Sequence, residues 1–137
     1  MDTIDITHTN NTLIVKEGCI DNARFECVSL QNAYFNDITL AGAKIINANL
    51  SDLEIEGAQL GGAYIHNIGM PPEGHPFYDP NAKQRPLKFE HCDLEGSEIS
   101  DCNLTNVELN NCTITGMKIN GIPVEELLQN YEKAKNQ

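Results

Sequence analysis

The chain has 137 residues, with 20 acids against 9 bases and a formal net charge of −11. That length suggests one domain, and that charge argues against direct binding to nucleic-acid phosphates. No apolar N-terminal run or long apolar span occurs, so the expectation is a cytoplasmic chain without a signal peptide or membrane contact.

Residues 1–17 read as an N-terminal cap. Ile4 and Ile6, then Leu13 and Val15, alternate with polar residues around Asn10-Asn11, which suits a hairpin or an irregular first coil. Residues 18–70 then carry a hydrophobic anchor every five positions: Ile20, Phe25, Leu30, Phe35, Leu40, Ile45, Leu50, Ile55, Leu60, Ile65 and Met70. That period fits neither an α-helix nor a flat strand. A small apolar residue precedes most anchors by two positions, as at Ala23, Ala33, Ala43, Ala48 and Ala63. Asn, Asp or Gly follows them by two, as at Asn22, Asn32, Asp37, Gly42, Asn47 and Asp52, and these residues tolerate left-handed backbone. Cys27 and His91 break that rule. Each unit is therefore expected to be a short extended piece followed by a corner. The anchor and the residue two before it would point inward.

A corner every five residues closes a square after four units, and stacked squares make a β-helix. Ala48-Asn49-Leu50-Ser51 and Cys92-Asp93-Leu94-Glu95-Gly96 carry the pattern most fully. The chain thus resembles the pentapeptide-repeat family over residues 18–121, apart from an insertion. The resemblance implies an all-β, right-handed quadrilateral β-helix, a solenoid; the change of period at its end adds a C-terminal capping α-helix. Residues Arg24, Tyr34, Thr39, Lys44, Glu54 and Tyr64 depart from the family's Asp or Asn before the anchor. Residues twenty apart should share a face, so Ile20, Leu40 and Leu60 would form one inner column.

The beat lapses at residues 71–88, an inserted loop holding five of the six prolines. Its prolines stiffen it, and long loops in compact domains often carry function. Lys83, Arg85 and Lys88 supply three of the nine bases, and Phe77 and Tyr78 are residue types that anchor interfaces. These five residues are the candidate partner-binding loop.

The beat resumes over residues 89–121 as Phe89, Leu94, Ile99, Leu104, Leu109, Ile114 and Ile119. Asp93, Glu95, Glu98, Asp101 and Glu108 make a candidate acidic wall with no base between residues 89 and 117. Cys92, Cys102 and Cys112 fall at the inward position and read as small apolar fillers. The five cysteines are expected to be free thiols, since a reducing cytosol disfavours disulfides, and no zinc-type spacing occurs. Residues 122–137 change period: Val124, Leu127, Leu128, Tyr131 and Ala134 form one helical stripe. Glu125 and Glu126 suit the start of that helix, and Lys133 and Lys135 its end. If the stripe lids the last coil, a monomer is favoured; a dimer through the C-terminal end is the alternative.

Chemistry is not written into this pattern. A filled β-helix offers no cleft, and phosphate-loop, dinucleotide and nucleophile-elbow motifs are missing. His75, Asp79 and His91 lie near the loop without metal-ligand spacing. The expectation is a non-enzyme with no catalytic residues, no cofactor and no metal. It would be a protein-interaction scaffold whose loop and acidic wall meet an unidentified protein. The alternative comes from the family resemblance: an acidic DNA mimic that modulates a type II topoisomerase, as in the quinolone-resistance branch.

Overall fold

The computed structural model describes Ile4, Ile6, Thr7 and residues 11–137. The expected N-terminal hairpin falls partly outside these residues, its Asn10 included; Leu13 and Val15 carry no strand. The chain divides between Ala63 and Tyr64 into two units. No helix among the described residues is long and apolar enough to cross a membrane.

The five-residue beat is written into the backbone as a left-handed corner. In the first unit Asn22, Cys27, Asn32, Asp37, Gly42, Asn47, Asp52, Gly57 and Gly62 all have positive φ. In the second unit the same holds at Asn67, His91, Gly96, Asp101, Asn106, Asn111, Gly116 and Gly121. The phase runs one step further towards the N-terminus, to Glu17 at φ 52°. Cys27 (φ 53°) and His91 (φ 54°) break the composition rule yet obey the geometry. A left-handed L-residue costs about 1–2 kcal/mol unless it is Gly, Asn or Asp, so Glu17, Cys27 and His91 carry that strain.

Two kinds of corner alternate. After Leu30, Leu40, Leu50 and Leu60 the anchor's carbonyl accepts the N–H of the residue three on (Ala33, Ala43, Leu53, Ala63) at 2.9–3.1 Å. After Leu94, Leu104 and Ile114 it accepts from Ser97, Val107 and Met117 over the same distances. Positive φ at the third residue alone makes these type II turns, which require Asn or Gly there or tolerate Asp. The intervening corners at Cys27, Asp37, Asn47 and Gly57 are open bends, as are those at His91, Asp101 and Asn111. The structural repeat is therefore ten residues long.

Between corners the chain is extended, so an anchor and its two flanking residues point to opposite sides. The flankers meet one another. Arg24 Nη2 donates to Glu26 Oε1 across Phe25, and Tyr64 stacks on His66 across Ile65 with ring centroids 4.2 Å apart. The hydrogen bond to Glu26 first, and its charge second, hold the Arg24 pKa above the usual guanidinium value.

In the first unit, two hollows open to solvent are lined by residues about twenty apart. Phe25, Glu26, Cys27, Ile46 and Asn47 line one of about 500 Å³. Residues 20–23 and 39–44 line the other, of about 480 Å³. Two features of the expected solenoid are absent from the described residues. A β-ladder needs strands roughly 4.8 Å apart, and no strand occurs among residues 11–117. The inner columns are likewise not buried: Leu50 is 48% exposed, Phe25 56% and Phe35 61%.

The second unit ends in regular structure. β1 (Lys118–Ile119) pairs antiparallel with β2 (Ile122–Pro123), Ile119 opposite Ile122. Asn120 (φ 50°) and Gly121 (φ 80°) both lie in the left-handed region, the signature of a type I′ hairpin turn. α1 (Val124–Lys135) follows directly. Pro123 is the N-cap of α1 and lends no side-chain hydrogen bond. Glu125 and Glu126 complement the positive end of the helix and Lys133 and Lys135 the negative end. The Val124 N–H donates to Met117 O at 3.0 Å, and the Gly116 N–H to Glu125 Oε1 at 3.2 Å. Ile114, Met117, Pro123, Val124 and Glu125 are half-buried at this junction. The helix docks through its first turn. Its stripe does not lid the coil, since Leu127, Leu128 and Tyr131 stay exposed.

The strain at Cys27 and His91 gives a stability prediction. Cys27→Asn and His91→Asn should each stabilise the chain by about 0.5–1 kcal/mol, because Asn relieves the left-handed penalty. Asn32→Val should destabilise it by about 1–2 kcal/mol. Urea-denaturation midpoints measure all three; equal midpoints would refute the role given to the corners.

Candidate functional site

The loop is built from consecutive turns. Pro72 O accepts the His75 N–H at 3.1 Å, His75 O accepts the Tyr78 N–H at 2.9 Å, and Asp79 O accepts the Ala82 N–H at 3.2 Å. Pro76 and Pro80 hold the second position of the last two turns, where a fixed φ is favourable. Gly74, at φ 90°, holds the third position of the first. Two side chains clamp the loop: the Phe77 N–H donates to His75 Nδ1 at 3.1 Å, and the Asn81 N–H to Asp79 Oδ1 at 2.9 Å. The prolines therefore shape a defined ridge.

Its aromatics project. Phe77 is 81% exposed and touches His75 with ring centroids 5.8 Å apart. Tyr78 is more sheltered, at 42%. From Ala82 to Glu90 the chain runs without turn or bend. Lys83, Arg85 and Lys88 lie along this arm, all exposed. Lys88 Nζ pairs with Glu90 Oε2 at 2.8 Å across Phe89, so its charge is partly matched. The five loop residues thus share one segment, with the aromatics on the turns and the cations on the arm.

The acidic residues are arranged differently. Asp93 and Glu95 flank Leu94, Glu98 precedes Ile99, Asp101 is the corner after it, and Glu108 precedes Leu109. Their bonds stay within their own units. Asp93 Oδ1 accepts the Glu95 N–H at 3.0 Å, Glu98 Oε1 accepts the Ser100 hydroxyl at 2.6 Å, and Glu108 Oε2 accepts from Asn110 Nδ2 at 3.5 Å. Among the described residues none of the five pairs with a Lys or Arg. Their charge faces water uncompensated.

The Asp93 contact also explains the family motif. Asn49 Oδ1 accepts the Ser51 N–H at 3.0 Å, and Asn103 Oδ1 accepts both the N–H and the hydroxyl of Thr105. An Asp or Asn before the anchor clamps the start of the type II turn. Thr39 lacks this clamp and its turn still closes, so the clamp reinforces the corner without being required.

All five cysteines are free, as expected, but Cys92, Cys102 and Cys112 are exposed where inward apolar fillers were expected. Cys92, Cys102 and Cys112 each donate Sγ–H to the carbonyl two residues back (Glu90, Ser100, Asn110) at 3.2–3.4 Å. The thiols brace the open bends where no backbone bond does, a role invisible to a reading that treats cysteine as an apolar filler. Among the described residues no three His, Cys, Asp or Glu side chains converge as metal ligands.

A family model for pentapeptide repeats matches eight copies over residues 23–65 and 88–121, more than half of the chain. The gap between the two matches contains nearly all of the loop. No curated protein and no solved structure matches the chain.

Since Phe77 contacts little beyond His75, Phe77→Ala should change stability by less than about 0.5 kcal/mol. A larger loss in thermal unfolding would mean that the ring packs on the coils.

Proposed function

Because this chain belongs to the pentapeptide-repeat family, we propose that its coils close into a right-handed quadrilateral β-helix that serves as a non-enzymatic protein-interaction scaffold. Proteins of this family are generally not enzymes. Closure is supported by the left-handed corner at each beat. It would bury the half-exposed anchors, each worth roughly 1.5–3 kcal/mol when fully removed from water.

The observation that carries the functional reading is the loop at 71–88. It interrupts the repeat, turns on its own hydrogen bonds, and presents Phe77 with Lys83, Arg85 and Lys88. Partner recognition would combine an aromatic anchor with local positive charge. The uncompensated carboxylates from Asp93 to Glu108 would repel wrong partners. A second reading is favoured by those same carboxylates: an acidic DNA mimic that modulates a type II topoisomerase.

Two measurements test these proposals. Closure should bury Cys92, Cys102 and Cys112 and leave Cys19 and Cys27 reactive to a thiol reagent. Equal reactivity of all five in the native chain would exclude the closed coil. For function, replacing residues 71–88 with a short turn should leave the chain folded and abolish capture of its partner, whereas undiminished capture removes the loop from the argument. Titration into a DNA gyrase supercoiling assay, with and without a quinolone, decides the second reading: inhibition or drug protection raises it above the first, and no effect discards it.

A further inference from the structure

Asn120-Gly121 is the sole Asn-Gly pair in the sequence, and it forms the two-residue turn between β1 and β2. We infer that this turn is a self-modifying site, at which conversion of Asn120 to isoaspartate releases α1 from the last coil.

The chemistry needs only water. Gly121 has no side chain to shield its backbone nitrogen, and the pairing of Ile119 with Ile122 leaves that N–H outside the ladder. Both residues are exposed, and the Asn120 amide has no hydrogen-bond partner among the described residues. Once deprotonated, the Gly121 nitrogen attacks Cγ of Asn120. The N–Cγ bond forms, the bond from Cγ to the amide nitrogen breaks, and that nitrogen leaves as ammonia with a proton from water. A second water opens the cyclic imide at one of its two carbonyls, giving aspartate or isoaspartate. The attack requires Asn120 to rotate out of its left-handed conformation. A hairpin of two residue pairs opens readily enough to allow this.

The two products differ in consequence. Aspartate is at home in a type I′ turn and leaves the hairpin as it was. Isoaspartate adds a main-chain carbon, so a two-residue turn no longer spans β1 and β2. α1 begins at the residue after β2. Its ties, Val124 N–H to Met117 O and Gly116 N–H to Glu125 Oε1, bridge the altered turn. Ageing would therefore unfasten the helix without a modifying enzyme.

The test warms the intact chain at mildly alkaline pH. Peptide mapping locates the conversion, and an isoaspartyl carboxyl methyltransferase with labelled S-adenosylmethionine counts isoaspartate. Asn120 should convert several-fold faster than any other asparagine, and the helical circular-dichroism signal should fall in step with the label. Asn120→Asp should keep its helix and take up label at that position only slowly, because loss of water from an Asp-Gly pair is slower than loss of ammonia from Asn-Gly. Conversion at Asn120 no faster than elsewhere overturns the site. A helical signal that survives full conversion, or one already lost in Asn120→Asp, overturns the release.

Discussion

The left-handed corner is the constraint on which everything else in this chain depends. A residue with φ near +50° to +75° every fifth position turns the backbone before an extended run can lengthen. Four residues remain between corners. In so short a piece the anchor takes one side and its flankers the other. That single geometric fact separates the chain's two vocabularies. Leu, Ile and Phe recur on the anchor side, while ion pairs, an aromatic stack and capping contacts occupy the other.

Alternation of corner type adds a second level. Type II turns follow Leu30, Leu40, Leu50 and Leu60, whereas open bends follow Phe25, Phe35, Ile45 and Ile55. The second unit keeps the alternation with less regular anchors, turning after Ile114 as well as after Leu94 and Leu104. A turn closed by a backbone bond supports itself and tolerates Thr39 where others carry Asn. An open bend has no such bond. In the second unit the Cys92, Cys102 and Cys112 thiols supply a substitute, while Val28, Ile38 and Ala48 hold the equivalent positions in the first. A weak sulfur donor is a modest brace, and the two units hold their open bends by different means.

The corners were the most legible feature in the amino-acid order. Asn, Asp and Gly mark most of them, and the period carried the assignment through Cys27 and His91, where composition fails. The helix was legible because five apolar residues change period together from Val124. The type I′ hairpin was hidden: Gly121 falls in phase with the corner series and so reads as one more corner. Its left-handed neighbour Asn120 was the available signal, since Asn-Gly favours this turn. Coil spacing was not legible at all. A five-residue period encodes the angle through which the chain turns, and it is silent about the rise per turn. Burial of Leu50 or Phe35 depends on that rise. At the candidate site, the clustering of aromatics and cations at 71–88 could be seen directly. The bonds of His75 Nδ1 and Asp79 Oδ1 that shape the loop depend on local geometry that no spacing rule supplies.

A scaffold of this kind constrains where recognition can reside. The anchor positions answer to the coil and the corner positions to a φ angle, which leaves the flankers and the inserted loop free to vary in chemistry. In the proposed closed coil, flankers would change side with every repeat. Glu98 and Glu108, both exposed, would then not share one compact site. Their charges would act through summed potential, which is long-ranged and screened by salt. The loop escapes this restriction because it leaves the beat. Phe77, Tyr78, Lys83, Arg85 and Lys88 lie within twelve residues of one another on a segment bonded to itself. Short-range recognition of a single partner needs such a cluster. In a chain whose net charge is −11, a segment carrying three of the nine bases is the place where a partner repelled by the rest could be held.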